Sequence, residues 1–179
     1  MINLPTMMLR ASIALSFVAI ITGCSLPTGN EPLQVDLQSL LPEALIAPSG
    51  EPISRETLQG KFVGLYFSAS WCPPCRRFTP KLIALRNERT AQFEVVLVGS
   101  DRSKEEQQAY VADHGMPWPA LPNNAEHANK LNDLFGVQSI PALIIVSPEG
   151  NVVSFRGRGD VATQGSAAFD EWLNKAKGS

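Results

Sequence analysis

Two cysteines, Cys72 and Cys75, stand three apart in the stretch Trp71-Cys72-Pro73-Pro74-Cys75-Arg76. At the start of a helix that spacing puts both side chains on one face, where they can close a small disulfide ring. Pro73 and Pro74 suit such a start, because the first N–H groups of a helix have no intrahelical partner and a fixed φ stiffens the turn. The positive end of the helix, with Arg76 and Arg77 adding two charges, favours a thiolate at Cys72. A low-pKa, accessible thiol beside a resolving thiol is what disulfide exchange requires, with Cys72 the attacking residue and Cys75 the resolving one. Zinc would need four ligands, and the other candidates are His114, His127 and a third cysteine, Cys24. A purely structural disulfide is the weaker reading as well, since so short a loop restrains little of the unfolded chain. The redox reading needs neither a metal nor a bound cofactor.

These residues need a strand before them and a helix after them. Residues 62–68 form a continuous apolar and aromatic run, as expected of a strand buried on both faces, and it ends at the dithiol. Phe78, Leu82 and Leu85 then recur at helical spacing to about residue 90, and 93–99 is a second apolar strand. Strand, helix and parallel strand make a βαβ unit, which fixes a sheet covered by helices. Upstream, 44–47 reads as a strand turned by 48–51, and Ser54 caps a short helix that ends at Gly60. Downstream, Ser103 and Glu106 match a capping box for a helix to about 114, and 116–122, with three prolines and Trp118, reads as loop. A helix over 125–135 stops at Gly136, strands over 142–147 and 151–156 form a hairpin, and a helix over 166–177 closes the chain with Phe169, Trp172 and Leu173 inward.

The chain has 179 residues, 44% of them hydrophobic, and a net charge of −2. This describes one globular domain with a short appendage, and the balanced charge offers nothing for nucleic acid or for bulk attraction to a membrane. Residues 1–23 read as a secretory signal: Arg10 supplies the positive region, 11–22 the apolar run, and Gly23 the small residue at the cut. That run is too short to span a bilayer. Ile21-Thr22-Gly23-Cys24 resembles the lipobox of bacterial lipoproteins, which implies a lipidated Cys24 as mature N-terminus; a plain signal peptide is the alternative. Lipidation of Cys24 would leave one clean pair from an odd count of three cysteines. Ser25 in place of aspartate resembles the class sorted to the outer membrane in Gram-negative organisms. Residues 24–32 read as a tether and 33–179 as the domain, with Leu33, Leu37, Leu40 and Leu41 at helical spacing near its edge.

The element order with a dithiol between strand and helix resembles the thioredoxin-like plan, an α/β fold with a central mixed β-sheet flanked by helices. The run from Leu65 to Arg76 with Phe78-Thr79-Pro80, together with Val98-Gly99-Ser100-Asp101, Met116-Pro117-Trp118 and Phe135-Gly136-Val137 before Ile140-Pro141, resembles the tryparedoxin and nucleoredoxin branch. This resemblance covers about residues 45–158. The anchored setting is similar to that of bacterial membrane-tethered thiol-disulfide proteins of the TlpA and ResA type.

The resemblance implies a cis bond at Ile140-Pro141, with the proline and the preceding backbone opposite Cys72. It puts Tyr66 where thioredoxins proper carry a buried aspartate, leaving Asp101 or solvent as proton acceptor. Trp71 and Trp118 would flank the substrate groove. Pro73, Pro74, Arg76, Asp101, Ile140 and Pro141 complete the expected site, while His114 and His127 read as surface helix residues. Arg158-Gly159-Asp160 reads as a turn and helix cap. The expected function is that of an exported, lipid-anchored thiol-disulfide oxidoreductase on the periplasmic side, outer membrane if Gram-negative. It would reduce or isomerise disulfides of protein or small-molecule partners, with electrons from a membrane-borne or diffusible thiol donor. The alternatives are a dithiol oxidant and a non-catalytic binding module of the same fold.

Overall fold

Strand β3, Phe62–Ser68, is the axis of the domain, and all seven of its residues are buried in the computed structural model, which describes residues 33–178. The expected signal peptide (1–23), lipidation site at Cys24 and tether (24–32) lie outside the described residues. Strand β4, Phe93–Gly99, pairs with β3 in parallel from Phe62↔Phe93 to Ser68↔Gly99, across helix α2, Pro73–Glu88. Strand β5, Ala142–Val146, pairs antiparallel on the other side of β3, and β6, Val152–Ser154, adds antiparallel to β5. The sheet order is therefore β4-β3-β5-β6, a mixed sheet.

Alternation along the strands divides the core in two. Phe62, Tyr66, Phe93, Val95 and Leu97 face Phe78, Leu82 and Leu85 of α2 and the C-terminal Phe169 and Trp172. Val63, Leu65, Phe67, Val96 and Val98 face the opposite side, with Leu131 and Phe135 of the helix Ala125–Phe135 and with Leu41 and Leu58. Covering both faces is why the apolar run of β3 shows no polar alternation. Gly64 lies where the layers close: a Cβ there would meet Phe93 Cζ at 2.9 Å and Leu143 Cδ1 at 3.1 Å.

The remaining elements follow local chemistry. Helix α1, Leu37–Leu40, is one turn capped by Asp36, and a small antiparallel pair joins β1, Ala44–Ile46, to β2, Pro52–Ser54. Ser54 Oγ accepts from the Glu56 N–H at the head of a 3-10 turn, Arg55–Leu58. Helix α3, Lys104–Asp113, begins with the Ser103 cap at 3.1 Å from the Glu106 N–H. Helix α4, Ala125–Phe135, ends at Gly136 with φ 63°, a left-handed conformation that suits glycine. The last helices are α5, Gly157–Gln164, and α6, Ala168–Lys177, separated by a 3-10 turn.

Three expectations are corrected. β2 was not anticipated, because three residues after a turn carry too little pattern. Residues 116–122 are not plain loop: Ala120 exchanges both backbone bonds with Ile46, and Leu97 bonds Pro119 and Leu121, so this segment stitches the β1–β2 pair to the edge of β4. Arg158-Gly159-Asp160 is the first turn of α5, not a turn and cap, and the Asp160 carboxylate accepts from Ser154 Oγ at 2.6 Å and Trp172 Nε1 at 2.9 Å.

The chain enters the described fold beside the β5–β6 hairpin. Val35 N–H donates to the Gly150 carbonyl and Val152 N–H to the Leu33 carbonyl, each at 2.8 Å. In the register of β3 with β5, Val63 opposes Val146 and Phe67 opposes Ala142. The hairpin therefore lies at the end of the sheet remote from Cys72.

Candidate active site

Cys72 is the N-cap of α2, and Pro73 and Pro74 occupy its first two positions. Cys72 and Cys75 form a disulfide with Cα atoms 5.3 Å apart. The Cys75 N–H points at Cys72 Sγ at 3.3 Å, so an unpaired helix-start donor meets the sulfur where negative charge gathers when the disulfide opens. Cys75 has no exposure and Cys72 has 4%, which leaves the Cys72 sulfur the one nearer solvent. Arg76 is exposed, and its N–H donates to the Cys72 carbonyl at 3.2 Å.

Three segments frame the disulfide. Trp71 is 53% exposed, and its indole N–H donates to the Ser100 carbonyl at 3.1 Å, fixing the ring beside the cysteines. The Ile140-Pro141 bond is cis, and the Ile140 carbonyl lies 3.9 Å from Cys72 Sγ. An open groove of about 530 Å³ leads from Ser139 and Pro141 past Phe155, itself 50% exposed, to Arg156 and Arg158. Asp101 holds the segment before Trp71: its Oδ1 accepts from the Ser70 N–H at 2.8 Å, and its carbonyl accepts from Asn123 Nδ2 at 3.1 Å. Its Oδ2 is buried with no hydrogen-bond partner among the described residues.

Trp118 does not flank the groove. It has no exposure and meets the Tyr66 ring edge-on at 6.2 Å between centroids, because the 116–122 segment turns it into the core while the backbone pairs with β1 and β4. Among the described residues no group of three or more His, Cys, Asp and Glu is placed to hold a metal ion.

Sequence reasoning put Tyr66 at the buried position by the dithiol but missed the partners that make it the floor of the site. The Tyr66 hydroxyl donates to the Cys75 carbonyl at 3.1 Å and touches Thr79 Oγ1 at 3.1 Å; Thr79 reaches Tyr110, and Tyr110 reaches Ser68. Burial, and then the neighbouring Tyr110, push the Tyr66 phenol well above its ordinary range, so it stays protonated at neutral pH. The available signal was Thr79, four residues after Cys75 and hence on the same helix face.

The class that this fold and site define is that of the thioredoxin-fold thiol-disulfide oxidoreductases. Residues 60–152 match a family model described as thioredoxin-like. The mouse (Mus musculus) nucleoredoxin is 37% identical over 157 residues, covering 86% of this chain and 35% of its own length. Tryparedoxin II from C. fasciculata superposes with a TM-score of 0.67 at 37% identity, over 73% of this chain and 89% of that one. Tryparedoxin II complexed with glutathionylspermidine gives 0.67 at 36% identity, over 73% and 94%. The chain belongs to the thioredoxin-like family and is similar to its nucleoredoxins and tryparedoxins; it spans about a third of the length of the animal nucleoredoxins it matches.

Proposed function

We propose that this chain is an exported, lipid-anchored protein that reduces or isomerises disulfides of protein or small-molecule partners through Cys72 and Cys75. The observation that carries the exchange chemistry is the disulfide at the head of α2, with Cys72 Sγ against the Ile140 carbonyl and an open groove beyond. In the reduced form, Cys72 thiolate attacks a substrate disulfide, whose S–S bond breaks as one half departs with the electron pair and takes up a proton. Cys75 then attacks Cys72 Sγ, the second half departs as a thiol, and the Cys72–Cys75 disulfide forms. A thiol donor, membrane-borne or diffusible, returns the two electrons. Extended substrate backbone fits beside Ile140 and Pro141, and Arg156 and Arg158 suit a substrate bearing a carboxylate. A glutathione-type disulfide is one such substrate, in keeping with the ligand of the tryparedoxin II complex.

Export and anchoring rest on Arg10, the apolar run and Ile21-Thr22-Gly23-Cys24. The proline pair between the cysteines supplies neither charge nor an N–H donor, which favours a potential nearer the reducing end than a strongly oxidising dithiol shows.

The test traps partners on Cys75→Ser. Dithiol-dependent reduction of insulin by the wild type, none by Cys72→Ser, and mixed disulfides on Cys75→Ser are expected; wild-type inactivity would leave a docking module. A potential near −120 mV, with the pair wholly oxidised in cells, would instead identify an oxidant. Metabolic labelling with a fatty acid should be lost in Cys24→Ala, and labelling that persists would rule out attachment there.

A further inference from the structure

Beneath the disulfide lies a line of hydroxyls that the exchange steps do not use. Ser68 and Tyr66 come from β3, Thr79 from α2 and Tyr110 from α3, and none is more than 1% exposed. Ser68 Oγ and the Tyr110 hydroxyl are 2.9 Å apart, Tyr110 and Thr79 3.3 Å, and Thr79 and Tyr66 3.1 Å. Two contacts converge on the Cys75 carbonyl, from Tyr66 at 3.1 Å and Thr79 at 3.0 Å.

Each hydroxyl brings one proton, so these contacts cannot all be donated at once. One ordering uses every proton and leaves each receiving oxygen supplied: Ser68 to Tyr110, Tyr110 to Thr79, Thr79 to Tyr66, and Tyr66 to the Cys75 carbonyl. Hydrogen bonds aligned head to tail polarise one another, and here the sum falls on one backbone oxygen. The helix needs that support locally, because Pro80 lies inside α2 and offers no N–H to the carbonyl of Arg76. The turn that follows Cys75 is thus held by one intrahelical bond fewer, and the side-chain hydroxyls tie the Cys75 carbonyl beside it to the central strand.

We propose that Tyr66, backed by Thr79 and Tyr110, is a positioning residue for the resolving step, holding the Cys75 turn so that its sulfur stays in line with the Cys72–substrate disulfide. This rests on the exchange reading above. In that step Cys75, as thiolate, attacks Cys72 Sγ, the Cys72–substrate S–S bond breaks, and the substrate sulfur leaves with the electron pair. The proton Cys75 has given to solvent returns to the departing sulfur. The hydroxyl line carries no proton in this scheme, since it terminates on a carbonyl oxygen and not on a sulfur or a base.

The experiment separates the two steps. The first is the rate at which an aromatic disulfide such as 5,5′-dithiobis(2-nitrobenzoate) loads Cys72 in the Cys75→Ser background. The second is release of the bound thionitrobenzoate from Cys72 when Cys75 is present. Tyr66→Phe and Thr79→Val are expected to slow the second step threefold to tenfold, the value of about one hydrogen bond, and to leave the first unchanged. Thr79→Ser, which keeps the hydroxyl, is expected to match the wild type, and the pH profile of release should keep its shape in Tyr66→Phe. Unchanged release in both folded variants would overturn the proposal, as would equal slowing of both steps or loss of a limb of the pH profile. Failure of the wild type to release at all would count against the exchange reading itself.

Discussion

Single side chains buried in this core fix where protons and charges reside. The native fold holds the Tyr66 proton more tightly than the unfolded chain does. Above about pH 10, where phenols of unfolded chains ionise, the native state binds the extra proton, and stability falls as pH rises by about 1.4 kcal/mol per unit. Urea midpoints measured from pH 8 to 11 should fall less steeply in Tyr66→Phe than in the wild type; parallel slopes would contradict the assignment. Arg86 and Glu94 form the second such site, a two-pronged pair at 2.9 and 2.6 Å, and the bonding to Glu94 raises the Arg86 pKa further. Arg86→Ala should cost about 3 kcal/mol in chemical unfolding, because Glu94 is left buried without its counter-charge, with the Val95 N–H still donating to it at 3.0 Å, and adding Glu94→Gln should recover part of it. The cysteines could be read from the sequence because their chemistry depends on a spacing of three. Among the hydroxyls Thr79 alone carried such a signal, four residues after Cys75, because Ser68 and Tyr110 come from other elements and meet it only after β3, α2 and α3 have packed.

At the scale of elements, the long ones were the legible ones. β3, β4, α3 and α4 begin where apolar periodicity, the Ser103 cap and the flanking turns put them, and Gly136 stops α4 as its position suggests. What escaped was short or held by remote partners: β2, the stitching of Ala120 to Ile46 and Leu97, and α5, whose first turn holds two glycines and whose N-cap makes no side-chain hydrogen bond. Trp118 was misplaced for the same reason, since only that stitching shows which way its ring turns. α5 stays in place through Asp160, which binds Ser154 of β6 and Trp172 of α6 on one oxygen. Asp160→Ala should therefore cost about 2 kcal/mol and change Trp172 fluorescence in the native state, whereas a change confined to the unfolded baseline would refute the clamp. Gly64→Ala pushes a methyl against Phe93 and Leu143, and a loss of about 1–3 kcal/mol in thermal or urea unfolding is expected.

At the scale of the whole molecule, function is concentrated at one end of the sheet. Cys72, Trp71 and the cis-proline loop meet where β3 ends and β5 begins, and the groove toward Arg158 opens beside them. The other end holds Leu33 and Val35 against the β5–β6 hairpin. Along β3 alone the two ends are about 20 Å apart. Under the proposed anchoring, the attachment reaches the domain at residue 33, the stern of the sheet, and leaves the dithiol at the bow, remote from the mooring. Replacing residues 1–32 with a bulky folded domain should leave kcat/KM for a soluble disulfide unchanged, while the same domain inserted at Ser139 should abolish it.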